Sequence, residues 1–169
     1  DTTAEGAIYK GFEVLGVADA VSIDMDTITG STIASIVITD AGNATSVTDM
    51  SATQAAAVTI AAGDGALTLG RKSAGTTGQL DTLTITVSDG DTTGSEAVWT
   101  AGDVTLPGVE TINVTATDDF TWASMANISG LTALTVTGGG DVSITTGAHV
   151  VTANESISFS ALTTASTFN

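Results

Sequence analysis

The stretch 107–119, "PGVETINVTATDD", decides how this chain is read. A proline-glycine break comes first, apolar and polar residues then alternate, and two aspartates close it. The pattern returns at 129–141 as "SGLTALTVTGGGD". Its core is a six-residue motif, apolar-x-x-apolar-x-apolar, filled by Val109-Ile112-Val114 and Leu131-Leu134-Val136. Earlier copies are Ile33-Ile36-Ile38, Ala55-Val58-Ile60 and Leu80-Leu83-Ile85. A degenerate last copy, Ile157-Phe159, has Asn154 at the first apolar position. The central position falls at 36, 58, 83, 112, 134 and 157, spaced by 22, 25, 29, 22 and 23 residues.

That period separates two all-β architectures. Hairpin-built sandwiches show strands every 8–12 residues with no fixed identity at each position. A repeat of about 22–29 residues fits one coil of a parallel β-solenoid, in which each coil adds a strand to a common sheet. The last two apolar residues of the motif point inward, and the residue between them (Thr59, Thr84, Asn113 or Thr135) points out. Gly108 and Gly130 precede the first apolar residue, where a sharp corner needs glycine. A second strand follows at Leu67-Leu69, Val104-Leu106 and Val142-Ile144. The expected fold is an all-β parallel β-solenoid, with an Ig-like β-sandwich as the alternative.

Residues 31–161 hold the repeats, and 1–30 read as a cap or the end of a preceding coil. Within 1–30, "AIYKGFEVLGV" (7–17) has a short-helix pattern through Ile8, Phe12 and Leu15, and "VSIDMD" (21–26) alternates as a strand. The insertion "DGDTTGSEAVWTAGD" (89–103) reads as a surface loop. Residues 162–169 form a tail with no stop signal, expected to continue.

Composition agrees with this reading. The 169 residues include 33 Thr and 15 Ser, apolar residues make up 42% and aromatics only 4%. β-Branched residues with frequent glycine favour strands and tight turns. Nineteen acids against three bases give a net charge of −16. Lys10, Arg71 and Lys72 are too few to bind nucleic acid or an anionic membrane. There is no cysteine, hence no disulfide or thiolate metal site, and no apolar run long enough to insert in a membrane.

Aspartate follows the core strand in nearly every coil: Asp40, Asp64, Asp89 and Asp91, Asp118 and Asp119, and Asp141. In a solenoid these turns stack roughly 5 Å apart. Carboxylates at that distance repel unless a cation joins them, and Ca²⁺ takes six to eight oxygens from carboxylates and turn carbonyls. The plainer reading is that aspartate is a good turn former. The strict nonapeptide G-G-x-G-x-D-x-U-x is not met; "GGGDVSI" (138–144) has its glycines and acid at other offsets.

The segments "GVETINVTATDD", "GLTALTVTGGGDVSITTG" and "DTLTITVSDGD" resemble coils of calcium-dependent bacterial surface-layer (S-layer) proteins, which are related to the repeat-in-toxin exoproteins. The resemblance implies secretion to the bacterial cell surface, calcium-dependent folding, and self-assembly with copies of the same chain in a lattice or filament. Leucine-rich repeats share the motif but need Asn or Cys where this chain has Thr117, Ser88 and Gly139. Two other roles have sequence handles. An adhesin module binding a cell-surface glycan would use Trp99 and Trp122 as a stacking platform, though such residues more often anchor packing. A polysaccharide-active β-helix enzyme would draw on Asp89, Asp91, Asp118 and Asp119, with Arg71 or Lys72 as the base for a lyase. A Ser-His-Asp triad could be drawn around the single histidine, His149, but a lone histidine beside an apolar pair is more often structural, and there is no G-x-S-x-G elbow, so no enzyme is expected. Asn43, Asn113, Asn127 and Asn154 each head an N-x-S/T triplet.

Overall fold

Ile112 and Val114 alternate with Thr111, Asn113 and Thr115, and the two apolar side chains are at most 1% exposed. This two-residue period repeats along the chain and builds two sheets. The computed structural model describes residues 11–18, 21–29, 32–40, 44–63, 65–74, 76, 80–91, 97–128, 130–147, 155–160 and 167–168, except the side chains of 40, 97, 101, 102, 126 and 127.

Successive strands alternate between the sheets. The first sheet holds β1 (Val14–Ala18), β3 (Ser35–Asp40), β5 (Val58–Ile60), β7 (Thr82–Val87), β9 (Thr111–Ala116), β11 (Ala133–Gly138) and β13 (Ser156–Phe159), in that spatial order. The second holds β2 (Ser22–Asp24), β4 (Thr45–Met50), β6 (Leu67–Arg71), β8 (Ala97–Thr105), β10 (Asp119–Asn127), β12 (Val142–Ile144) and β14 (Thr167–Phe168). Every pairing between these strands is parallel, so each strand meets its equivalent one coil away. This is a parallel β-solenoid, and the sandwich alternative is set aside, because hairpins would pair antiparallel.

The inward residues form columns. Leu15, Ile36, Val58, Ile85, Val114, Val136 and Phe159 are successive partners across the first sheet. The five central members are at most 1% exposed. Burying a whole aliphatic side chain is worth about 1.5–3 kcal/mol, and stacking like on like repeats that gain at every coil. The second sheet closes the core with Val47, Leu67, Leu69, Val104, Leu106 and Ile144. Among the described residues no helix is long and apolar enough to cross a membrane.

Three local expectations change. The motif copies do not stack at one offset: Leu83 pairs Ile112, Leu134 and Ile157 in turn, but Val58 pairs Ile85 instead of Leu83. The slip falls between β5 and β7 and not across α1 (Ala52–Ala55), a single turn with a Ser51–Gln54 capping box, because Ile36 and Val58 on either side of that turn still pair centre to centre. A slip of two residues keeps every side chain on its own face, so the core survives it. Second, β1 occupies Val14–Ala18 and residues 11–13 are not helical, where a helix is expected over 7–17; residues 7–10 lie outside the described residues. Third, 97–103 is not a loop but most of β8, which pairs with β10 from Ala97 to Thr105. Leu80, the first apolar residue of its copy, is 79% exposed, whereas Val109 and Leu131 are buried behind Gly108 and Gly130. Both glycines have positive φ, 68° and 93°.

Candidate metal centre in the aspartate turns

After β7 and β9 the chain leaves the first sheet and turns toward the second. The backbone N–H groups of Thr117 and Asp118 both donate to the Val87 carbonyl, at 3.0 and 3.3 Å, so the later turn sits on the earlier one. Asp118 is thereby held inward at 1% exposure. Its Oδ2 accepts the Asp89 backbone N–H at 3.0 Å. Its Oδ1 is buried and has no hydrogen-bond partner among the described residues. Asp89 Oδ1 accepts the Asp91 N–H at 2.9 Å, which folds the exposed 89–91 turn back on itself.

One carboxylate oxygen from each of Asp89, Asp91 and Asp118 lies within 4.8 Å of the other two. Oxygens bound to one Ca²⁺ are separated by no more than twice the metal–oxygen distance, about 5 Å. The trio fits that limit. It would supply three of the ligands, with two exposed carboxylates on the solvent side and one buried beneath them. A buried carboxylate oxygen without a partner is costly, and a hard cation removes that cost. The two bases among the described residues are engaged with other acids. Arg71 Nη1 lies 2.6 Å from Asp81 Oδ1. Lys72 Nζ donates to both Asp26 oxygens, at 2.6 and 2.7 Å, and this hydrogen bond raises its pKa.

Asp119 and Asp141 do something different. The Asp119 side chain points away from Asp118, toward the next coil, and its Oδ1 accepts the Asp141 N–H at 2.6 Å. The doublet therefore brackets both neighbours: Asp118 holds the coil before, Asp119 the coil after. The glycines at 138–140 permit this. Gly139 and Gly140 N–H groups donate to the Ala116 carbonyl at 2.9 and 3.1 Å, and a Cβ on Gly140 would overlap the Asp118 carbonyl oxygen.

Of the seven aspartates singled out by the sequence, the structure brings three together and pairs two as turn bonds. Asp64 lies outside the described residues, as do His149, Asn43 and Asn154, and the side chains of Asp40 and Asn127. Asn113 sits at an outward position in mid-β9 between Thr84 and Thr135. Trp99 and Trp122 are fully buried and pack together, ring centroids 6.2 Å apart, with Phe120 stacked on Trp99 at 5.7 Å. They are core anchors and offer no platform to a sugar. The buried partner-less oxygen of Asp118 is what sequence reasoning could not single out among equivalent turn acids.

No protein-family model, curated protein sequence or solved structure matches the chain.

Proposed function

We propose that this solenoid is a structural, self-assembling subunit of a bacterial surface layer or surface filament, outside the cell, braced by Ca²⁺ between its coils. The observation that carries the reading is the Asp118 carboxylate, buried and half-satisfied, under two exposed aspartates from the preceding coil. A cation there ties the β7 and β9 coils across 29 residues of chain. Such a brace suits a protein that meets calcium outside the cell. The resemblance of the aspartate-closed coils to surface-layer sequences supports the same location.

The shape of the fold supports assembly. Among the described residues β1 and β2 lie at one end of the sheets, β13 and β14 at the other. Parallel edges of this kind accept further strands in the same direction. Around β1 an apolar groove is lined by Phe12, Val14, Leu15, Ile23, Ile28 and Ile33, with Phe12 and Val14 more than half exposed.

The test is electron microscopy of the purified chain in saturating Ca²⁺ and again in excess chelator. Ordered sheets or filaments that disperse on chelation are the expected result. Monodisperse single particles in both conditions would sink the proposal.

A further inference from the structure

The first sheet turns toward solvent a face that assembly through its edges does not use. On β7, β9 and β11 the sequence reads TLTIT (82–86), TINVT (111–115) and ALTVT (133–137), and the outward positions are the first, third and fifth of each. Seven of those nine positions are threonine, beside Asn113 and Ala133. Thr59 extends one row, so that Thr59, Thr86, Thr115 and Thr137 are partners across four strands.

Three independent properties set this face apart. It is regular: β7 pairs β9, and β9 pairs β11, over six consecutive residues without a register shift, whereas the second sheet has shifts at β4–β6 and β8–β10. It is uncharged: no acid or base occupies an outward position of these three strands in a chain of net charge −16. Asp81 and Glu110 stop short of it at one border, Asp89 and Asp118 at the other. Its hydroxyls are also open to a ligand: Thr137 donates to the Val114 carbonyl at 3.4 Å, but the side chains of Thr84, Thr86, Thr111, Thr115 and Thr135 have no hydrogen-bond partner among the described residues.

These hydroxyls and methyls repeat about 4.8 Å across the strands and about 6.6 Å along them. Threonine is stiff at χ1, and side-chain ladders hold a sheet flat, so the repeat is preserved from strand to strand. A protein partner would need buried aromatic or arginine anchors, and the face has none. A glycan would need aromatic stacking, and both tryptophans are buried. What matches a flat, uncharged, two-dimensional lattice of hydroxyls is another such lattice. The outermost water layer of an ice crystal is likewise an uncharged, two-dimensional lattice of hydrogen-bonding oxygens.

We propose that the threonine face of β7, β9 and β11 binds the surface of ice. Hydroxyls take lattice positions of the outermost water layer, and the methyls between them exclude mobile water. This activity is independent of the calcium brace and of edge assembly.

The experiment freezes a calcium-saturated solution of the full chain slowly and compares protein in the ice with protein left in the liquid, while a microscope follows crystal shape. The wild type is expected to enrich in the ice and to facet growing crystals. Thr115→Lys, an exposed position in the middle of the array, should cut partition into ice about tenfold, since an ammonium must be desolvated against an uncharged lattice. Thr86→Lys, made separately, guards against a folding defect in the first variant. Thr121→Lys, at an outward position of the second sheet, should partition as the wild type does. Exclusion of the wild type from ice like an ordinary solute would overturn the proposal, as would wild-type partition by both lysine variants with native circular dichroism. Retention on insoluble chitin without entry into ice would also overturn it, in favour of a neutral polymer.

Discussion

One oxygen of the Asp118 carboxylate accepts the backbone N–H of Asp89, one coil earlier, at 3.0 Å, and its other oxygen is buried with no partner. The first contact is ordinary turn chemistry and would exist without any ion. The second is not, because a desolvated carboxylate oxygen with nothing to accept costs about 1–3 kcal/mol or more. The two halves of one side chain thus separate a turn bond from an unmet acceptor that a cation would satisfy.

Asp118→Asn keeps the shape and removes the charge. The wild type should gain about 2.7 kcal/mol in Ca²⁺ at one hundred times its dissociation constant. That corresponds to a rise in Tm of roughly 5–10 °C for a chain of this size. The variant should lose this rise and, in chelator, melt no lower than the wild type, since no uncompensated charge remains. Thermal melts followed by circular dichroism read both numbers. An unchanged calcium response in the variant would remove Asp118 from the site.

Asp119→Ala makes the contrasting case. Asp119 is half-buried, and its carboxylate accepts the Asp141 amide at 2.6 Å. Losing one charge-assisted hydrogen bond costs about 1.5–3 kcal/mol. The loss should be equal in Ca²⁺ and in chelator, because this bond spans two coils without needing an ion. Denaturant midpoints in the two buffers check it. A loss confined to the calcium buffer would make Asp119 a ligand instead.

The closure of the β6–β7 connection rests on a different pair. Arg71 reaches Asp81, which is fully buried and whose backbone N–H also donates to Glu110 Oε2 at 2.7 Å. Asp81→Ala strands a largely buried guanidinium and should cost about 3–5 kcal/mol. The double change Arg71→Met with Asp81→Leu should recover most of that, because no charge is then left without its partner. Midpoints of urea unfolding at constant slope measure both. A mild effect of the single change would mean that water replaces the carboxylate.

The solenoid was legible because its coils repeat residue types at fixed offsets, and only stacked coils give Ile112 and Leu134 the same environment. The second-sheet strands at Leu67, Val104 and Val142 were legible for the same reason. What hid β8 was its content: Gly102 and Asp103 are turn formers by propensity, and the burial of Trp99 against Phe120 and Trp122 overrides them. The aspartate cluster was half legible. Spacing placed acids on stacked turns, but which of them face inward depends on backbone bonds to the Val87 carbonyl, and no residue pattern announces those.

Register was the least legible property, and it can be tested directly. Repeat matching aligns Val58 with Leu83, which would set the outward Thr59 beside Thr84. The structure pairs Thr59 with Thr86 instead, while the coil before it, which holds α1, keeps Ile36 opposite Val58. Both alignments bury the same kind of side chain, so stability alone does not distinguish them. Proximity does. Neighbouring residues on paired strands lie about 4.8 Å apart, within the Cα separation a disulfide spans, whereas a two-residue offset adds about 6.6 Å along the strand. The chain has no cysteine of its own, so engineered pairs report cleanly. Thr59→Cys with Thr86→Cys should form a crosslink under mild oxidation, seen as a mobility shift on a denaturing gel that reductant reverses. Thr59→Cys with Thr84→Cys should stay reduced under the same treatment. The reverse outcome would restore the uniform stacking of the motif.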